Sequence, residues 1–406
     1  MPLVYKLLGS DPNLIGIFQS GFSMLSWVVL AICVAGAVRV QWLKIVAFAT
    51  TLVFSLSTDI VMWDWQVLSE SISLSLLALF IASWLWLIQE WHWGKAAIVL
   101  VIGFFLTFTR DTNAYVMLMV AGLLTSVGLT WRRQRRYILL AGIFLLFFTV
   151  YYVYSNANPR IVYNVYETLA VRVLPFPERT EYFAEQGMPV TPAVLKRAGK
   201  PASSDNWALD HDTELQEFRD WIRENGKSTY VQFLLSRPLW TAWEPLRYQN
   251  RKQLVLLAVS AGLRIYTPDR VCPAGNFSPR LLELYAPVGF SSILPDSPYP
   301  LAQIVYPKKI VCLNSQFLSM ILVVGAIATL TIAVVAWKQR AVSLVVPLVL
   351  IGLAYPHAAL AFHGEPLEIG RHALLAIVQL GVGLWMLLLF STDTALSMHK
   401  KYAPQT

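Results

Sequence analysis

The sequence predicts an all-α polytopic membrane protein with about nine transmembrane helices and a mainly helical polar domain inserted between the sixth and the seventh. Of its 406 residues, 56% are hydrophobic and only 14% are charged, whereas soluble domains carry roughly 25% charged residues. The apolar residues also fall in separate runs, most of them near the ~20 residues that a helix needs to cross about 30 Å of hydrocarbon. Because lipid offers no partner to an unpaired backbone group, we expect these runs to be helices.

The predicted spans divide the chain around one long polar stretch. The apolar segments are 21–38, 43–58, 67–88, 96–109, 112–130, 137–154, 316–337, 342–361 and 371–391. Between the sixth and seventh segments, the mixture of Pro, Gly, Trp and both charge signs is typical of a folded domain. The predicted domains are an outer-face loop (1–20), six helices (21–154), an extracytoplasmic domain (155–315), three helices (316–391) and a cytoplasmic tail (392–406).

The distribution of positive charge predicts the side of the membrane on which each domain lies. The basic residues between spans alternate onto one face, which the positive-inside rule makes cytoplasmic, and the polar domain falls on the other face. The net charge of +8 therefore reflects orientation in the membrane and not binding of nucleic acid. Residues 1–20 then lie outside without a preceding helix or signal peptide. We expect one more helix before residue 1 in relatives; the alternative is an N-terminus that crosses the membrane by itself.

The cysteines and the absence of known motifs limit the classes of protein to which the chain could belong. Cys33 lies in an apolar run, where inert packing is expected, whereas Cys272 and Cys312 lie in the polar domain. In an oxidising compartment these two would form a disulfide, and the alternative is two free thiols. The sequence has no Walker-type loop, GxGxxG or clustered Cys/His pattern, which argues against an ATP-driven pump, a dinucleotide enzyme and a zinc protease. No cofactor or metal ligand is assigned, and nothing supports a divalent metal.

Two carboxylates stand near the predicted start of the third span, in STDIVMWDWQVLSESISLS (57–75). Asp64 lies in the loop and Glu70 near the start of the helix. A carboxylate inside an apolar helix is unfavourable unless it faces a cavity or a partner, so both are candidate catalytic residues. The alternatives are an ordinary loop position for Asp64 and, for Glu70, a favourable interaction with the helix N-terminus.

A second group of charged residues is Arg110–Asp111, which lies between the fourth and fifth spans. The fourth span is about 21 Å long at 1.5 Å per residue, which is shorter than the hydrocarbon core, so this turn is expected to lie in a recessed cavity. The planar guanidinium of Arg110 suits phosphate oxygens, with Asp111 in support. The alternative is a self-neutralising pair in a tight hairpin.

A third group of charged residues lies in FHGEPLEIGRHALL (362–375), just before the last span. Arg371 and His372 are candidates to bind a phosphate or pyrophosphate leaving group, with Glu365 and Glu368 in support. The alternative is an ordinary surface loop. The three charged groups together predict one outward-facing cavity at membrane level. Such a cavity suits a substrate with a lipid tail and a phosphate head. A carboxylate would act as the base on an incoming hydroxyl.

Several stretches resemble bacterial membrane glycosyltransferases of the GT-C type. These stretches are WDWQVLSESISLSL and FTRDTNAYVML, followed by a large outer domain after the sixth span. RVLPFPERTEYFAEQGMPV and GEPLEIGRHALLAIVQLGVGLW resemble a group of uncharacterised bacterial membrane proteins of that general kind. The resemblance covers most of the chain as architecture, through short and moderately specific motifs. It implies a multi-helix enzyme of the bacterial cytoplasmic membrane that takes sugar from a polyprenyl-phosphate donor on the outer face and passes it to an envelope glycan, lipid or protein.

The N-terminus departs from that family pattern. GT-C enzymes carry their catalytic acid in the first outer loop, after the first helix, and MPLVYKLLGSDPNLIGIFQSGF resembles only the end of that loop. Asp11 is the one carboxylate before the first span, and the catalytic role is not transferred to it. Three interpretations follow: a chain that starts late, an inactive relative, or a catalytic role taken over by Asp64 and Glu70.

The leading hypothesis is therefore a hexosyl- or pentosyltransferase of the GT-C type. The partners it implies are a polyprenyl-phosphate sugar, an envelope acceptor and membrane lipids. Two other classes remain open: a transporter or flippase of a lipid-linked glycan intermediate, and a non-catalytic scaffold of envelope synthesis. A transporter would be expected to show internal repeats and broken helices near the middle of the membrane.

Overall fold

The computed structural model describes residues 3–9, 11–56, 60, 62–65, 68–130, 135–156, 158, 161–200, 208–247, 342–364 and 374–402. Every regular element in these ranges is helical. The chain divides into two compact units. The first comprises Met1–Phe147, Val255–Tyr355 and Leu374–Thr406, and the second comprises Phe148–Leu254 and Pro356–Ala373. The domain bounds drawn from the sequence stay a prediction.

The α-helices are numbered in chain order over the described ranges. They are α1 (Leu3–Leu7), α2 (Pro12–Ala37), α3 (Gln41–Ser55), α4 (Ser69–Gln89), α5 (Trp93–Thr107), α6 (Asp111–Thr130), α7 (Arg135–Asn156), α8 (Ile161–Arg172), α9 (Pro177–Glu185), α10 (Pro192–Leu195), α11 (Ala208–His211), α12 (Gln216–Trp221), α13 (Lys227–Ser236), α14 (Pro238–Arg247), α15 (Val345–Gly364) and α16 (Leu374–Tyr402).

Six of these helices are long and apolar enough to cross a membrane: α2, α4, α6, α7, α15 and α16. Helices α3 and α5 are also apolar, with 15 residues each. The prediction of an all-α membrane protein with several spanning helices is confirmed. The predicted span 316–337 lies outside the described residues, so the count of nine stays a prediction.

Helix α2 begins at Pro12, well before the span predicted from residue 21. Asp11 caps it, because its side chain accepts a 2.9 Å hydrogen bond from the backbone N–H of Asn13, and proline suits the first helical position. The predicted span starts only at residue 21 because the polar Gln19 precedes it, and Ser23 follows within the run. Both side chains are buried, so these polar residues face the protein interior.

The first unit packs around α4 and α16. In their most apolar 18-residue windows, 78% and 82% of the residues are buried inside the protein, which places both helices at the interior of the bundle. Helix α2 packs against α3 and α4, and α4 also contacts α5 and α16. A close approach of α5 and α7 needs glycine at position 103, since a Cβ there would lie 2.6 Å from Cε1 of Phe144.

The turn between α2 and α3 is held from α16. Oδ1 of Asp393 accepts hydrogen bonds from the backbone N–H groups of Arg39 at 2.8 Å and Val40 at 2.9 Å. Val40 precedes α3 and offers no side-chain cap of its own. A buried carboxylate on a distant helix therefore satisfies the donors that the helix start leaves unpaired.

The second unit consists of α8–α14 with the last turns of α7 and α15. Its core is aromatic and includes the fully buried rings of Tyr166, Phe183, Phe218 and Phe233. Helix α9 ends at a left-handed Gly187 with φ of 84°. There the N–H of Met188 reaches back to the carbonyl of Phe183 at 3.0 Å, a C-terminal cap that only glycine permits without strain.

A buried cluster of polar side chains connects helices of the second unit. Arg179 on α9 forms a 2.7 Å ion pair with Glu244 on α14 and donates to the backbone carbonyl of Arg172 at 2.7 Å. The guanidinium of Arg172 lies 3.6 Å from the centre of the Phe362 ring. Each cation therefore has a partner within the unit, and we interpret the group as structural.

Candidate functional site

The candidate site lies in the first unit, around the first turn of α4, which contacts both Asp64 and the turn between α5 and α6. A short 3-10 helix, Met62–Trp65, precedes α4. Ile60 and Trp63 anchor this segment in the apolar core, at 0% and 3% exposure. Asp64, the residue after Trp63, is also buried and only 6% exposed. The loop position that the sequence suggested for Asp64 is therefore a buried one.

Asp64 is held by hydroxyl groups. Ser71 on the first turn of α4 donates a 2.6 Å hydrogen bond to Oδ1 of Asp64, and the Ser23 hydroxyl of α2 also bonds this carboxyl. Burial raises the pKa of Asp64 to about 7, and the two serine hydroxyls lower it by a smaller amount. The carboxyl can therefore gain or lose a proton near neutral pH, which is the property that a general acid or base needs.

Glu70 and Arg110 form a buried ion pair. Glu70 lies in the first turn of α4 and is fully buried, and Arg110 stands between α5 and α6 at 8% exposure. Because α4 and α5 form an antiparallel hairpin, the residue after α5 returns to the level where α4 begins. Nη1 of Arg110 lies 3.5 Å from Oε1 of Glu70. The structure thus brings together two of the candidates that the sequence selected separately.

The turn that carries Arg110 is fixed by its neighbours. Asn113 on the first turn of α6 donates to the Leu106 carbonyl at 3.2 Å and to the Thr109 hydroxyl at 2.9 Å. Asp111 is the first residue of α6 and is exposed, where a negative charge favours the helix N-terminus. From this turn the side chain of Arg110 reaches Glu70.

Two further residues belong to this site, Tyr5 and Gln19, which were not predicted from the sequence. The Tyr5 hydroxyl donates to the Leu68 carbonyl at 2.6 Å, and Nε2 of Gln19 donates both to that hydroxyl at 2.7 Å and to the same carbonyl at 2.9 Å. Burial raises the pKa of Tyr5, and the nearby Glu70 raises it further. These bonds anchor the backbone two residues before Glu70.

A sequence signal existed for Gln19 but not for Tyr5. Gln19 and Ser23 are spaced i, i+4 and therefore share one face of a helix, which becomes visible once α2 is extended to Pro12. Tyr5 belongs to a five-residue helix of a segment that was predicted as a loop.

Six predicted site residues lie outside the described residues. They are Glu365, Glu368, Arg371, His372, Cys272 and Cys312. Their predicted roles in binding phosphate, in supporting the site and in a disulfide stay predictions. Within the described ranges, no group of three or more His, Cys, Asp or Glu side chains is arranged to hold a metal ion.

A pocket of about 230 Å³ lies elsewhere in the first unit. It is lined by the ends of α2 and α4 around Arg39, Leu85 and Gln89. Glu70 stands at the opposite end of α4, so this pocket does not contain the buried ion pair. The chemistry of the side chains, rather than this cavity, therefore identifies the candidate site.

The chain matches no protein-family model, and comparison with curated proteins and with solved structures also gave no match. The case for a function therefore depends on the chemistry of the site. Asp64 is a carboxyl whose pKa burial raises to about 7, which suits proton transfer, and it is bonded to Ser71, the residue after Glu70 of the buried ion pair.

Proposed function

We propose that this chain is a membrane glycosyltransferase of the GT-C type, which moves a sugar from a polyprenyl-phosphate carrier to an envelope glycan, lipid or protein. The observations that carry the proposal are the buried Glu70–Arg110 pair and the buried carboxyl of Asp64, which accepts a hydrogen bond from Ser71, the residue after Glu70. In this proposal the chain has nine spans in a bacterial cytoplasmic membrane, and residues 155–315 and the site lie on the outer side.

In the proposed reaction, an acceptor hydroxyl attacks the anomeric carbon of the donor sugar. The bond between that carbon and the phosphate oxygen breaks, and polyprenyl phosphate leaves with the bonding electrons. The hydroxyl proton passes to the carboxylate of Asp64. Arg110 binds the phosphate oxygens on which negative charge develops, and Glu70 positions the guanidinium.

The geometry of the ion pair supports a phosphate-binding role for Arg110. Its 3.5 Å separation from Glu70 exceeds the 2.7–2.9 Å typical of a charge-assisted hydrogen bond. A guanidinium presents five N–H donors in a planar fork, more than one carboxylate engages. In our proposal Glu70 holds the Arg110 guanidinium in place, and Arg110 binds phosphate together with Arg371 and His372.

A second candidate function is a proton-coupled carrier of a lipid-linked glycan intermediate. The feature that favours it is the buried carboxyl of Asp64, whose pKa burial raises to about 7, since buried ionisable groups of this kind mark proton relays in transporters. The two candidates make different predictions for sugar transfer, because a carrier moves the donor across the membrane without breaking its glycosidic bond.

The test is transfer of label by the purified full-length chain in lipid nanodiscs. The donors are radiolabelled polyprenyl-phosphate hexoses and pentoses, the acceptor is an envelope fraction, and the release of polyprenyl phosphate is measured in parallel. Asp64→Asn is expected to lower the transfer rate about 10²-fold or more, as for loss of a general base. Arg110→Lys, which loses the planar fork, is expected to weaken donor binding.

The matched control is the ion pair Glu90–Lys95, which joins the other ends of α4 and α5 at 3.3 Å and has an exposed carboxylate. Glu90→Gln and Lys95→Met are expected to transfer sugar as the wild type does. Failure of the wild type to transfer label from any donor, together with movement of a fluorescent donor between the leaflets of a liposome, would replace the enzyme with the carrier.

A further inference from the structure

The second unit carries an exposed apolar stripe on α13 and α14. Val231, Leu235 and Leu239 are 44%, 74% and 77% exposed. Thr229 and Phe233, on the other side of α13, are buried, and Phe233 belongs to the aromatic core. The two helices thus have one face in the unit's core and an apolar face that the described residues leave uncovered.

This stripe lies next to the ends of two candidate membrane spans. Nζ of Lys227, at the start of α13, is 2.5 Å from Oδ1 of Asn156, the last residue of α7. Nε2 of His363, in the last turn of α15, is 2.9 Å from the carbonyl oxygen of Thr241 on α14. The helix pair is therefore attached to α7 and to α15, at the level where both spans end.

The surroundings have the composition of a membrane interface. Tyr152 and Tyr154 near the end of α7 are 42% and 66% exposed, and amphipathic aromatic rings concentrate where hydrocarbon meets headgroups. Lys227 lies 4.5 Å from the centre of the Tyr152 ring, and Arg237 stands between Leu235 and Leu239 in the sequence. Cations at this level can meet lipid phosphates while their apolar neighbours enter the acyl region.

We propose that α13 and α14 lie in the membrane interface of the lipid bilayer, with Val231, Leu235 and Leu239 inserted among the acyl chains. A helix of this type enters about 5–10 Å into the boundary between headgroups and acyl chains. The second unit is then held at the bilayer by this surface as well as by its two connecting spans. This inference is independent of whether the chain transfers sugar.

The first test measures where the stripe lies with a fluorophore. Single cysteines replace Leu235 or Leu239 in full-length chains whose three native cysteines are alanine, and each is labelled with bimane in nanodiscs. Glu217→Cys, on an exposed polar position of α12, is the matched control. Lipids brominated on the acyl chain are expected to quench the two stripe positions at least about twofold more than the control, and aqueous iodide is expected to quench in the reverse order.

The second test needs no substitution. The wild-type chain is photocrosslinked to a lipid that carries a diazirine on its acyl chain, and crosslinked peptides are mapped by mass spectrometry. Label on the peptide that contains 231–239 is the expected result. Iodide quenching of the stripe as strong as that of the control, or protection from both quenchers with no lipid crosslink, would overturn the proposal. The first outcome would place the stripe in water, and the second would place it under protein, such as residues 248–341 or a second copy.

Discussion

The buried Glu70–Arg110 pair can be measured against a pair of the same type on the same two helices. Glu70 and Arg110 join one end of the α4–α5 hairpin at 0% and 6% side-chain exposure. Glu90 and Lys95 join the other end, with side-chain exposures of 82% and 14%, so the carboxylate of this pair stands in water. The perturbation is two double-mutant cycles: Glu70→Gln with Arg110→Met, and Glu90→Gln with Lys95→Met.

The difference in burial sets the expected magnitudes. Removal of one partner of a buried pair leaves an uncompensated charge and costs about 3–5 kcal/mol, whereas replacement of both partners is often nearly neutral. Arg110→Met alone should therefore lower the free energy of unfolding by about 3–5 kcal/mol, and the added Glu70→Gln should recover much of the loss. The exposed pair should couple by about 0–1 kcal/mol, since water screens it.

The assay is reversible unfolding of the purified full-length chain in mixed micelles, with SDS as denaturant. The coupling free energy of the buried pair should exceed that of the exposed pair by at least about 2 kcal/mol. Equal coupling in the two cycles, within about 0.5 kcal/mol, would refute the claim that Glu70 and Arg110 stabilise each other away from water.

Three further predictions use the same unfolding measurement. Burial raises the pKa of Asp64 from 3.8 to about 7, so the folded chain binds the additional proton between these values and the free energy of unfolding should fall as pH rises, by up to about 1.4 kcal/mol per pH unit. Asp64→Asn, which cannot ionise, should flatten that slope. Gly103→Ala places a Cβ 2.6 Å from a Phe144 ring carbon and should destabilise by about 1–3 kcal/mol. Gly142→Ala, with nothing within 4 Å, should be neutral or stabilising. Asp393→Ala removes the acceptor of two backbone N–H groups and should cost about 1–3 kcal/mol, and Asp393→Asn should cost less because it keeps a carbonyl oxygen.

Hydropathy predicted the membrane helices well because lipid imposes both their length and their hydrogen bonding. The segment predicted at 67–88 is a helix at Ser69–Gln89. The start of α2 could not be predicted in this way, since its first turns bury polar side chains against other parts of the protein. The short helices of the second unit, such as Pro192–Leu195, are too brief for any periodic pattern to mark them.

The candidate site could be predicted in part. Charged residues at the ends of apolar runs marked Asp64, Glu70 and Arg110, because an ionisable group near hydrocarbon needs a specific reason to be there. Adjacency in the sequence raised a self-neutralising pair of Arg110 and Asp111 only as an alternative, and the structure gives Arg110 an ion pair with Glu70. The pairing with Glu70 follows from the return of the α4–α5 hairpin, which links residues 40 positions apart and carries no local signal.

The carboxyls of Glu70 and Asp64 have different interaction partners. This difference helps to distinguish the two candidate functions. Glu70 faces a guanidinium, whereas Asp64 faces the hydroxyls of Ser71 and Ser23. A glycosyltransferase needs the ionised form of Asp64, so transfer should rise with pH through about 7, the raised pKa of that carboxyl. A proton-coupled carrier must visit both forms, so Asp64→Asn should abolish coupling to a pH gradient while exchange of the cargo at equal pH continues. Loss of exchange at equal pH as well would assign Asp64 to cargo binding and remove the case for a proton-coupled carrier.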